Sequence, residues 1–136
     1  MTSRDAEAFR HLLQIVATLR GGNGCPWDIR QTPDTLKKYL REECQELIEA
    51  IDSGREDAIC EEIGDVFFIL TMLTTMFAER QSFTIGETLE RISAKMIRRH
   101  PHVFAGASTG DDQQLRRQWE QIKAEEKKEA AAKRPG

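Results

Sequence analysis

An all-α protein, an antiparallel bundle of four to five helices, is the architecture this 136-residue chain predicts. Apolar residues recur at helical spacing almost throughout, while the alternation of a β-strand is nearly absent. Glycine, proline and capping residues interrupt that pattern at a few well-separated places. The length suits one domain with a real core.

The first helix is predicted from about Arg4 to Arg20, with Phe9, Leu12, Leu13, Val16 and Leu19 on one face. Gly21 to Asp28 should form a loop, since its glycines, asparagine and proline stop a helix. Trp27 should draw that loop back onto the body, because an indole is costly to leave in water. No Gly-Lys-Ser/Thr closes it, so it is not a P-loop. The second helix begins at Thr32, a capping residue followed by Pro33, and stops at Ser53-Gly54. The third runs from about Arg55 to Gln81. The fourth opens at Thr84 with Glu87 in a capping box and ends before Pro101. The fifth starts near Asp111 and carries the short stripe Leu115, Trp119 and Ile122. Residues 1–126 form the predicted domain, and 127–136, rich in Lys, Glu and Ala, a charged, disordered tail.

Composition narrows the function. A net charge of -3 gives no reason to expect nucleic acid or an acidic membrane as partner. Cys25, Cys44 and Cys60 are odd in number and form no CxxC, which suits a reducing compartment and neither a disulfide framework nor a cysteine zinc site. Arg4, Asp5 and Glu7 interrupt any apolar leader, and Val66 to Leu73 is far shorter than the roughly 20 residues of a membrane span. A cytoplasmic location is expected.

Two acidic pairs carry the chemistry. Glu43 with Glu46, and Glu62 with Asp65, are each spaced i,i+3 on a helix, so each pair shares a face. Glu43 lies seven residues after Leu36 and points into the stripe Leu36, Leu40, Cys44, Leu47 and Ile51. Glu46 lies at its edge, beside Tyr39. Glu62 points between Ile69 and Leu73 of the stripe Ile59, Ile63, Val66, Ile69, Leu70, Leu73, Met76 and Phe77, and Asp65 lies near the direction of Met76. An ionised carboxylate on a packing face costs several kcal/mol unless it is paired or metal-bound. Two readings stay open: a hard divalent cation gathers the four, or lysine and arginine from other helices pair with them. On the fourth helix Arg91, Lys95, Arg98 and Arg99 fall within roughly a quarter-turn, a cationic stripe beside the apolar stripe of Ile85, Leu89, Ile92 and Met96. His100 and His102 flank Pro101, but no further Cys or His lies at zinc-site spacing.

Five ordered blocks carry a family resemblance. They are Gly24-Cys25-Pro26-Trp27-Asp28, Glu42-Glu43-Cys44-Gln45-Glu46, Glu62-Ile63-Gly64-Asp65, Arg98-Arg99-His100-Pro101-His102-Val103-Phe104 and Trp119-Glu120-Gln121-Ile122-Lys123. From Leu12 to about Glu126 the chain resembles the MazG family of all-α nucleoside triphosphate pyrophosphohydrolases, and within it the N-terminal copy of two-domain members. The resemblance implies a dimerising helical bundle that uses Mg²⁺ to hydrolyse nucleoside triphosphates to monophosphate and pyrophosphate. It assigns the metal, and with it the catalytic role, to Glu43, Glu46, Glu62 and Asp65. It makes Lys95 and Arg99 the phosphate contacts and associates Trp119 and Lys123 with the nucleotide. Some active members carry a lysine one turn before each acidic pair, where this chain has Tyr39 and Ala58. That departure supports an alternative: a catalytically weak nucleotide-binding or dimerisation module. The apolar third helix also offers faces for a partner subunit.

Overall fold

The computed structural model describes residues 2–133, and every regular element among them is a helix. Seven are present: α1 (Ser3–Leu19), α2 (Pro26–Arg30), α3 (Pro33–Ser53), α4 (Glu56–Glu79), α5 (Ile85–Arg99), α6 (Pro101–Phe104) and α7 (Asp112–Lys133). Two of the seven, α2 and α6, are single turns that open on a proline, and the five longer ones are those the periodicity predicts. Between Ile85 and Gly86 the chain divides into two compact units.

In the first unit, local chemistry sets the helix ends. The Thr2 hydroxyl accepts from the Asp5 amide at 3.2 Å, while the Asp5 carboxylate accepts from the Thr2 amide at 2.9 Å. Thr32 and Thr35 form the same reciprocal cap on α3, with Pro33 in the first turn. Gly54 ends that helix at φ +71°, a left-handed conformation that a Cβ disfavours. Glu56 and Asp57 open α4, where negative charge meets the positive end of the helix dipole. That helix stops at Glu79, and Gln81 turns the chain at φ +58°.

The expected loop between α1 and α3 contains a helical turn, α2. Its basis is partly remote. Cys25 donates its amide to the Leu19 carbonyl at 2.9 Å, and a Cβ at Gly24 would collide with that same carbonyl. Arg20 completes the arrangement. Its Nη1 donates to the carbonyls of Asp28 at 2.6 Å and Gln31 at 3.2 Å, while Nε and Nη2 form a fork onto Glu79 at 2.9 and 2.8 Å. One nearly buried guanidinium thus joins the end of α1, the turn α2 with its C-cap Gln31, and the end of α4. Trp27 folds back as predicted, edge-on to Tyr39 with ring centroids 5.4 Å apart, yet stays 42% exposed.

α3 and α4 form an antiparallel hairpin over the tight Gly54-Arg55 connection, and α1 packs on α4. Val16, Leu36, Met72 and Met76 make the core, with Leu12, Tyr39, Phe68 and Leu73 against it. The buried line differs from the predicted stripes. Cys44, Ile51, Ile63 and Leu70 are exposed, and Ala50, Thr71 and Met72 are buried instead. Thr71 tolerates burial because its hydroxyl donates to the Phe68 carbonyl at 3.0 Å.

The second unit holds most of α5, then α6 and α7. The Asp111 carboxylate accepts from the Gln114 amide at 2.8 Å, and Gln114 Oε1 accepts from the Asp111 amide at 2.7 Å, so α7 begins where its sequence predicts. It continues to Lys133, with residues 127–133 helical and exposed; the remainder of the expected tail, 134–136, lies outside the described residues. No helix among the described residues is long and apolar enough to cross a membrane.

Candidate functional site

The hairpin of α3 and α4 puts carboxylates on its own seam. On α3 the residues turned inward run Leu36, Leu40, Glu43, Leu47 and Ala50, and on α4 Glu62 and Val66 lead into Ile69, Met72 and Met76. Helical spacing that would otherwise supply a leucine supplies an acid at the level where the two helices adjoin. One oxygen from each of Glu43, Glu46, Glu62 and Asp65 lies within 4.8 Å of the others. Among the described residues this is the one such gathering of metal-ligating side chains, so His100 and His102 join no metal-ligating group.

The electrostatics of the four are adverse without a counter-charge. Glu43 Oε2 and Glu62 Oε2 are enclosed and have no hydrogen-bond partner. Burial, then the hydrogen bond and charge of Glu46, then the charges of Asp65 and Glu62, push the Glu43 carboxyl up to about 7. Burial, followed by the charges of Glu46 and Asp65, also raises Glu62. The alternative of pairing with basic residues finds no support: the ion pairs among the described residues are Arg20–Glu79, Lys37–Asp34, Arg55–Asp57, Arg98 and Arg99 with Glu126, and Lys123–Glu120. An all-oxygen donor set with two orphaned carboxylate oxygens fits a hard divalent cation.

The basic and aromatic residues predicted to meet the nucleotide belong to the second unit. Arg99 lies with its guanidinium carbon 5.0 Å from the centre of the Trp119 ring. Its Nε donates to both oxygens of Glu126 at 3.2 Å, and Arg98 Nη2 donates to one of them at 3.1 Å. These bonds, that of Arg99 foremost, hold the Glu126 carboxyl below its usual range. Lys95, half-buried, forms no ion pair among the described residues, whereas Lys123 lies 3.9 Å from Glu120 on the helix surface. His100 stands edge-on to Trp119 at 5.3 Å and donates Nδ1–H to the Met96 carbonyl at 2.6 Å. Gln118 Nε2 donates to His102 Nδ1 at 3.1 Å. The sequence reading missed Glu126, placing it at the margin of the domain. Its spacing seven residues after Trp119, two turns along one helix face, is the signal that could have found it.

The MazG nucleotide pyrophosphohydrolase domain matches residues 31–104, more than half of the chain and including all four carboxylates. The chain is 45% identical over 128 residues to the nucleoside triphosphate pyrophosphohydrolase/pyrophosphatase MazG of Thermotoga maritima, which covers 94% of this chain and 49% of that protein. It is 40% identical over 121 residues to the nucleoside triphosphate pyrophosphohydrolase of Escherichia coli K12, covering 88% and 46%. A Bacillus subtilis protein described as uncharacterized, YabN, is 44% identical over 119 residues, covering 88% and 24%. The chain therefore spans half or less of the length of these relatives. In fold, it superposes on the crystal structure of a MazG-related protein from Thermotoga maritima with a TM-score of 0.71 at 23% identity, over 85% of this chain and 98% of the other. With the helical fold, the two-helix carboxylate cluster and these matches in agreement, the chain belongs to the MazG nucleotide pyrophosphohydrolase family.

Proposed function

We propose that this chain hydrolyses nucleoside triphosphates to nucleoside monophosphates and pyrophosphate, with Mg²⁺ held by Glu43, Glu46, Glu62 and Asp65. The observation that carries the reading is the pair of enclosed, partnerless oxygens on Glu43 and Glu62 within a four-carboxylate cluster. Such a cluster is self-repelling in water-poor surroundings and becomes favourable around a divalent cation. When bound, Mg²⁺ supplies charge neutralisation for triphosphate oxygens and makes water a stronger nucleophile.

The protein's own groups do the rest. Glu43 and Glu62, fixed by the α3–α4 seam, hold the donor oxygens in place before substrate arrives. Lys95 and Arg99 bind phosphate oxygens, Lys95 as a point charge and Arg99 through its planar fork, and stabilise the charge that develops as water attacks near the α–β bridge. Trp119 and Lys123 contact the nucleotide. The biological role is removal of non-standard or surplus nucleotides from the cytoplasmic pool, and the enzyme acts as a homodimer.

A second reading follows from Tyr39. It stands where some relatives have a lysine, and it packs against Trp27 rather than offering a charge, with Ala58 at the equivalent place on α4. On that reading the chain binds nucleotide without brisk turnover. A nucleotide panel with product identification, with and without Mg²⁺, separates the two. Pyrophosphate release that needs Mg²⁺ supports hydrolysis; tight binding with no product after long incubation supports the module.

A further inference from the structure

We propose that Glu126 is the positioning residue that aims Arg99 at a phosphate group, an inference that rests on the hydrolase reading above. Two arginines of this molecule, Arg20 and Arg99, engage carboxylates with different use of their donors. Arg20 meets Glu79 through both Nε and Nη2, with Nε reaching both oxygens and Nη2 one of them, and its remaining Nη1 donates to two backbone carbonyls. That guanidinium is fully committed to holding the fold. Arg99 is bound differently. Only its Nε is used, shared between the two oxygens of Glu126 at 3.2 Å, and its Nη groups form no hydrogen bond among the described residues.

The surroundings fix this side chain without using up its donors. The guanidinium lies over the Trp119 ring, and Glu126 takes its Nε edge. Both come from the same face of α7, seven residues apart, so one helix supplies both constraints. The Arg99 side chain is only 13% exposed. A free arginine loses substantial rotamer freedom when it grips a ligand, and here that loss is taken before the ligand arrives. What remains without a hydrogen bond among the described residues is the Nη edge, whose paired N–H groups match two oxygens of a phosphate.

Charge agrees. The Glu126 carboxylate takes bonds from both Arg98 and Arg99, so one negative charge serves two positive ones. The cluster keeps a net positive charge, which a purely structural one-to-one pair would not. A carboxylate acting as an internal stand-in for phosphate would occupy the Nη edge, and it does not.

The test is steady-state pyrophosphate release by the full chain and by Glu126→Ala, Glu126→Gln, Arg99→Ala and the Glu126→Ala/Arg99→Ala double variant. Glu126→Ala should raise KM for the Mg²⁺-nucleotide about tenfold, the size of one charge-assisted hydrogen bond, with a smaller change in kcat. Glu126→Gln, which keeps one acceptor, should recover part of it. In the Arg99→Ala background, Glu126→Ala should add no further loss. An unchanged KM, a lower KM, or an equal added loss in the double variant overturns the inference. Failure of the hydrolase reading is recognised separately, as no pyrophosphate from the unmodified chain. The same comparison is then made calorimetrically with inorganic tripolyphosphate, and equal affinity of the unmodified chain and Glu126→Gln rejects the positioning role. If Glu126→Ala does not fold, Glu126→Gln alone decides.

Discussion

Glu43 carries the sharpest consequences of any single residue. Its carboxyl is raised to about 7 from an ordinary 4.5, so the folded chain retains a proton that the unfolded chain has already released. Folding is thereby disfavoured as pH rises from about 4.5 through 7, and the raised Glu62 acts in the same direction. The lowered carboxyls Asp5, Asp34, Glu79 and Glu126 change stability at lower pH, outside this window. The melting temperature of the metal-free protein should therefore fall between pH 5 and pH 8, Glu43→Gln should flatten that fall, and millimolar Mg²⁺ should reverse it. A melting temperature that is indifferent to both would remove the carboxylate argument. Protons and cation compete for the same oxygens, so Mg²⁺ affinity measured by calorimetry should be weaker at pH 6 than at pH 8. Glu43→Ala and Glu62→Ala should each lower pyrophosphate release by at least about 100-fold while the helical circular dichroism remains, as loss of a group that holds reacting partners in place would require.

At the level of elements, Arg20 tests how the first unit is held. Its guanidinium is nearly buried and satisfies Glu79 at the end of α4 and two carbonyls of α2 and its C-cap. Arg20→Ala should cost about 2–3 kcal/mol in urea unfolding, because it strands charged and polar partners rather than merely removing a surface pair. A cost under half a kcal/mol would show that α2 stands on local interactions alone. The helix ends of α3 were legible in the sequence since Thr32, Pro33 and Gly54 act on their own immediate backbone. The turn α2 was not, since Arg20 reaches it from the end of α1 and the Gly24 approach to Leu19 is a close backbone contact that no periodicity encodes. The stripes show the same division. Leu36, Ile69 and Met76 were readable as core, whereas Cys44, Ile51 and Ile63 proved exposed because the rotation of each helix is set by its neighbour.

For the molecule as a whole, the exposed apolar residues of the first unit favour the proposed dimer. Ile48 and Ile51 on α3, and Ile63, Phe67 and Leu70 on α4, are each more than 40% exposed. Scattered exposed apolar residues need no explanation, but five on two packed helices are positions that the proposed partner subunit would cover. Light scattering at micromolar concentration should give the mass of two chains, and Phe67→Glu should shift it toward one. A single-chain mass for the unmodified protein would count against the dimer.

What the sequence determined by itself was the helical class, the positions of the main helix ends and the identity of the four carboxylates. Those follow from interactions within a few residues of each other and from a motif that survives translation into spacing. Tertiary structure alone decided that oxygens separated by some twenty residues of chain meet within 4.8 Å, that two of them are left without a partner, and that Glu126 holds Arg99 by its Nε. Convergence, burial and donor geometry depend on how one helix is turned against another, and the packing of a hairpin or a helix pair sets that rotation, which no local periodicity contains.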